Sequence, residues 1–132
     1  MKGVVITTNR EMYVLDIPES EPLYRSTRPV LDGPMEIVHP RGLPRPYCMI
    51  VNEEGLMHDL PLNEVGSVWY GTHIHGQPIV GNIIIMKEGF RDGEWDLIGL
   101  NGRDIGLIKN SVIQLFGGIV REITPPEPQL EM

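Results

Sequence analysis

Ile79-Val80-Gly81-Asn82-Ile83-Ile84-Ile85-Met86 is the most hydrophobic run in the chain, and Tyr47-Cys48-Met49-Ile50-Val51-Asn52 is its nearest rival. The second run is apolar almost throughout and not at alternate positions, which places it as a central strand. The first reads as another strand, with Gly81 marking a bulge or a close backbone approach. Around these two the rest of a sheet can be placed. Lys2 to Thr8 and Met12 to Ile17 are apolar runs divided by Asn9-Arg10-Glu11, the pattern of a β-hairpin. Met35 to His39 is a third strand ended by Pro40. Phe90 to Gly93 is a turn, after which Trp95 to Leu100 pairs beside the Ile79–Met86 strand.

Helical signals are fewer. Asn63 to Tyr70 suits a short helix with Asn63 as N-cap and Glu64 in its first turn. From Arg103 to Phe116, apolar residues at 105, 107, 108, 112, 113, 115 and 116 predict about four amphipathic turns, closed by Gly117-Gly118. Ile105, Ile108, Val112 and Leu115 form the stripe expected to be buried. Residues 18–34 carry Pro18, Pro22, Pro29 and Pro34, so any helix there is about two turns or less. The expected fold is α+β: a small mixed, mainly antiparallel sheet of five or six short strands, one substantial C-terminal helix at 103–116 and a short helix near 63–70. Residues 1–123 are expected to form the domain and 124–132 a disordered tail rich in proline and glutamate. So little helix leaves one sheet face bare, which predicts a homo-oligomer.

Composition narrows the function classes. The 132 residues include 41% hydrophobic residues, 15 glycines and 12 prolines, enough for one core built of short elements and many turns. Eleven basic against eighteen acidic residues leave a formal charge of −7, opposite in sign to that of a protein that coats nucleic acid. The lone Cys48 excludes an intrachain disulfide and a Cys-rich zinc site. No run has the roughly 18–20 apolar residues of a membrane span, and residues 1–9 do not read as a signal peptide. The expected location is cytoplasmic.

Residues with chemistry are sparse. His73-Ile74-His75 would offer two metal ligands on one face of a strand. Gly71, Gly76 and Pro78 around it read instead as a loop, so no metal is predicted. Cys48 lies in an apolar run, where a thiol behaves as a small hydrophobe. Phosphate-binding glycine motifs are missing, and no catalytic set or cofactor is called for. Arginine is more informative. Arg25, Arg28, Arg41 and Arg45 fall within 21 residues whose only acids are Asp32 and Glu36. Guanidinium forks there suit bidentate recognition of phosphate or carboxylate.

VNEEGLMHDLPLN (51–63) and YGTHIHGQPIVGNIIIM (70–86) carry a resemblance. Asn52, Glu53, Glu54, Gly55, Leu60, Pro61, Asn63, Tyr70, Gly71, Gly76, Ile79, Val80 and Gly81 fit the pattern of a small family of unknown function. Its members occur mostly in tailed phages and in bacterial genomes carrying prophages. The resemblance spans roughly residues 34–100 and implies a strand, a short helix and a second strand, with no assigned chemistry.

Amide, phenol and imidazole groups among glycines are what a base or ribose requires. The expected function is therefore a non-enzymatic phage-type binder that sequesters a small nucleotide-derived anion, a counter-defence role in the host cytoplasm. Its expected ligand-binding residues are Arg25 and Arg28 at the anion end, Tyr70, His75 and Gln77 on the other wall, from the same or a neighbouring subunit, and Asn52 and Asn63. The alternative is an acidic inhibitor of a host nucleic-acid-binding protein or nuclease, since a carboxylate surface imitates phosphate. A metal-dependent enzyme built on His73 and His75 comes third.

Overall fold

The computed structural model describes residues 1–126 and leaves the side chain of His75 undescribed. The sheet is built from β1 (Lys2–Ile6), β2 (Glu11–Asp16), β3 (Met35–Val38), β4 (Tyr47–Asn52), β5 (Ile83–Arg91), β6 (Glu94–Ile98) and β7 (Arg121–Glu122). Four helices accompany it: α1 (Tyr24–Leu31), α2 (Glu64–Tyr70), α3 (Thr72–His75) and α4 (Gly102–Phe116). The strand order is β3-β4-β5-β1-β2-β7, with β6 pairing to β5. Every pairing is antiparallel except β2 with β7, so the fold is α+β with a mainly antiparallel sheet, as expected.

β5 organises the molecule. Ile84 and Ile85 pair with β4 on one edge and with β1 on the other, while Lys87 pairs with Tyr47 and Ile98. β1 and β6 therefore share one edge of β5, end to end. Successive residues alternate faces. Ile83 and Ile85 join Val4, Ile6, Met49, Val65, Trp69, Ile108 and Val112 in the core under α2 and α4. Ile84 and Met86 join Val5, Cys48, Ile50, Ile17 and Leu31 in the core under α1. Both faces are covered, so the bare face that argued for an oligomer is occupied by the chain's own residues 17–31.

Local departures have local causes. The strand expected at 79–86 starts only at Ile83, because Gly81 sits at φ 78 and bends the chain so that its N–H donates to the Pro61 carbonyl. The turn expected at 90–93 is tighter: only Asp92 and Gly93 leave the ladder, at φ 53 and 82. Positive φ at both central residues is what a type I′ hairpin demands. In α4, Ile108 and Val112 are buried and Ile105 partly so, but Leu115 is 50% exposed. Phe116, four residues beyond Val112, takes the expected place against the core. The α4 start is a capping box: Asn101 Oδ1 accepts from the Asp104 N–H, and Asp104 Oδ2 accepts from the Asn101 N–H. Of the expected disordered tail, residues 124–126 are exposed coil and 127–132 lie outside the described residues.

Candidate functional site

The site expected from the arginines is not assembled within one chain. Arg25 and Arg28 are exposed on α1, whose Leu31 packs on one face of the sheet. Tyr70 and Gln77 belong to the α2–α3 region, whose Val65 and Trp69 pack on the opposite face. The parity of β5 puts the thickness of the sheet between the two groups. Arg41 and Arg45 separate from Arg25 and Arg28 as well. Their loop packs Leu43 into the α2 side, and the Gly42 N–H donates to the Trp69 carbonyl at 2.8 Å. The His75 side chain lies outside the described residues.

The two asparagines are occupied by the fold itself. Asn63, fully buried, accepts from the Gly66 N–H and donates to the carbonyls of Ile6 and Gly81. It caps α2 and at the same time ties that helix to β1 and to the Gly81 bend. Asn52 donates to the Leu31 carbonyl at 2.8 Å and accepts from the Glu54 N–H at 2.7 Å. Asn63 has both amide N–H groups committed to backbone carbonyls, and Asn52 commits one N–H and its carbonyl oxygen to the backbone, so both side chains serve the fold. The family-like pattern around these residues therefore records a folding unit.

His73 and His75 fall in the helical turn α3, so the shared-face argument, which needs a strand's two-residue period, does not apply. Among the described residues no group of three or more His, Cys, Asp or Glu surrounds a metal-sized site. Burial, with a smaller effect from Glu88, pushes the Cys48 thiol up to about 12, far from nucleophilic.

One buried polar cluster had no signal in the sequence. Tyr47 donates to Asp104 Oδ1 at 2.7 Å, and the Lys87 ammonium lies 2.7 Å from Asp104 Oδ2. Burial pushes the Asp104 carboxyl up, but hydrogen bonds from Lys87, the Asn101 N–H and Tyr47 outweigh it and hold the group below its ordinary value. The Tyr47 phenol moves the other way, to about 12, through burial and then through Asp104. Each polar partner is answered by another, so the cluster pins β4, β5 and α4 together.

The open features lie around the β5–β6 hairpin. On the α4 side a cleft of about 430 Å³ is lined by Lys2, Glu19, Arg91, Ile98, Leu100 and Ile105, among others. It is an open depression rather than an enclosed cavity. The Arg91 guanidinium has no ion-pair partner among the described residues, whereas Lys2 lies 3.9 Å from Asp16. On the other side of the hairpin, Phe90 and Trp95 form an exposed ring pair.

Comparison with known domains adds one finding. The chain belongs to the DUF3846 family. It is a domain of unknown function, and the match covers residues 1–112. The DUF3846 region is wider than the 34–100 stretch of the resemblance and takes in the arginine-rich segment, the hairpin and most of α4. No curated protein and no solved structure matches the chain. No helix among the described residues is long and apolar enough to cross a membrane.

Sequence reasoning missed Lys2 and Arg91 because 88 intervening residues separate them and only the β1–β5–β6 junction brings them together. The Phe90–Trp95 pair did have a signal. In Phe-Arg-Asp-Gly-Glu-Trp the two rings are placed symmetrically about an Asp-Gly turn.

Proposed function

We propose that the protein is a non-enzymatic binding module that holds a small nucleotide-derived anion in the cleft between the β5–β6 hairpin and α4. The observation that carries this reading is the Arg91 guanidinium, without an ion pair among the described residues, at the rim of a cleft with apolar walls. A guanidinium fork beside Ile98, Leu100 and Ile105 offers a planar anion clamp next to a surface for a base or ribose. Lys2, itself 3.9 Å from Asp16, lines the same cleft, and the Glu19 carboxylate suits a ribose hydroxyl better than another phosphate. These residues replace Arg25, Arg28, Tyr70, His75 and Gln77 as the ligand set. The resemblance to phage and prophage proteins supports a setting in which such a binder withdraws a signalling nucleotide from a host defence pathway.

The test is a thermal-shift panel of cyclic dinucleotides and ADP-ribose-type nucleotides on the full chain and on Arg91→Ala. A ligand at a hundred times its dissociation constant adds about 2.7 kcal/mol, several degrees for a domain this size. The expected outcome is a shift for one nucleotide class, lost in Arg91→Ala, with the ligand recovered intact after heat denaturation. A ligand recovered chemically altered makes the protein an enzyme. A shift retained in Arg91→Ala, or none with any nucleotide, overturns the cleft assignment.

A further inference from the structure

The opposite side of the same hairpin carries a second surface, separate from the cleft. β1 pairs with β5 only through Ile85, and from Lys87 onward β6 is the partner on that edge, so the outer part of the hairpin leaves the body of the sheet. Phe90 and Trp95 face each other across its two strands. Their ring centroids are 4.9 Å apart with planes tilted by 59°, and they remain 65% and 64% exposed. Two large aromatic rings left open together beside a two-residue turn form an apolar patch, and aromatic side chains are enriched in the cores of binding interfaces.

The charge around the pair selects the partner. Between Lys87 and Asp96 stand four carboxylates, Glu88, Asp92, Glu94 and Asp96, against Lys87 and Arg91. The Lys87 ammonium is held by Asp104 and the Glu88 carboxylate by His39, and strand alternation puts Arg91, Glu94 and Asp96 together on the face opposite the rings, so the hairpin tip as a whole keeps three carboxylates, Asp92, Glu94 and Asp96, against one guanidinium. Two stacking-capable rings inside a negative field repel a phosphate backbone, so they do not suit single-stranded nucleic acid. They do suit a protein whose apolar recess has a basic rim, because the carboxylates steer the encounter and the rings supply the buried contact.

We propose that the β5–β6 hairpin is a docking element that inserts Phe90 and Trp95 into an apolar recess of a positively charged protein.

The experiment places a benzophenone photo-crosslinker at position 95 of the full chain, with exposed Met57 as the control position, in lysate of the cells that carry the gene. A captured protein is identified, purified and titrated against the chain. Trp95 emission is the readout, because the other tryptophan, Trp69, is buried. The expected partner carries net positive charge, crosslinks at 95 and not at 57, blue-shifts Trp95 and binds more weakly as salt rises. Phe90→Ala weakens binding at least about thirtyfold, the loss typical of a buried aromatic anchor. If Phe90→Ala also lowers the melting temperature by several degrees, Asp92→Asn decides, since asparagine tolerates the positive φ of the turn and only the charge is removed. That variant is expected to weaken binding about tenfold through charge alone. Adducts only with a second copy, with nucleic acid or with an acidic protein, equal adducts at 57, or no adduct overturn the proposal. So does a partner whose affinity is indifferent to both variants.

Discussion

The two halves of β5 behave as two different strands. Ile83, Ile84, Ile85 and Met86 are completely buried, flanked by β4 and β1 and covered by helices on both faces. Past Lys87 the same strand keeps β6 as its partner on one edge, loses the helix layers and exposes Phe90 almost two-thirds. Hydrophobic side chains occur in both halves, so hydrophobicity alone does not distinguish core from contact surface. What distinguishes them is whether a second layer of chain lies above the side chain. The inner half is the most closed part of the molecule. The outer half carries Arg91, without an ion pair among the described residues, on one side and the ring pair on the other.

The comparison breaks most visibly at the inner half. Ile84→Ala is expected to cost about 4 kcal/mol, since deleting three buried carbons removes their transfer energy and leaves a cavity in a fully covered layer. Denaturant unfolding reads this directly. A loss below about 1 kcal/mol would mean that α1 does not seal the face beneath it.

The next effect concerns polarity rather than volume. Asn63→Ala is expected to cost about 3 kcal/mol, because it removes the α2 cap and leaves the Ile6 and Gly81 carbonyls buried without their donor. The same measurement on Met57→Ala, at a position 79% exposed within the same family-like stretch, is expected to show a change below about 0.5 kcal/mol. If the two variants were equally mild, the family-like pattern would need a reading other than a folding unit.

The smallest of these effects sharpens the comparison at the point where β5 changes character. The Asp104 carboxyl is held below its ordinary value in the folded state, so its contribution to stability is complete above the ordinary carboxylate range and is lost as pH falls through the lowered value. Asp104→Asn is expected to cost about 2 kcal/mol at pH 7. The gap to the parent should narrow steadily on acidification below about pH 4, the ordinary Asp range. Melting curves from pH 7 to pH 3 test it, and a gap constant across that range would detach Lys87 and Tyr47 from the carboxylate.

Much of the scaffold was legible in order along the chain. β4 was readable because five consecutive apolar residues, Tyr47 to Val51, need no partner to be recognised as a central strand. The α2 start was readable because an N-cap acts on an N–H three residues away, within the reach of local sequence. The span of α4 followed from periodicity and its terminal glycine. Boundaries failed where one residue's backbone conformation decided the matter, as Gly81 and the Asp92-Gly93 turn did. Leu115 failed because the edge of the layer beneath a helix is not written in the helix.

Function was harder to read than fold for a physical reason. Type of residue and spacing determined that the chain makes a small acidic α+β domain, that Cys48 sits in a strand and that a turn near 90–93 separates the two strands of the last hairpin. Which side of the sheet α1 covers was decided only in the tertiary structure, and that choice separated Arg25 and Arg28 from Tyr70 and Gln77. Tertiary structure also decided that Asn52 and Asn63 spend their amides on backbone carbonyls, and that Lys2 meets Arg91 across a cleft. Secondary structure depends on interactions within a few residues. A binding surface depends on which distant groups are left without partners once every nearer one has been satisfied, and that is known only after the chain has closed on itself.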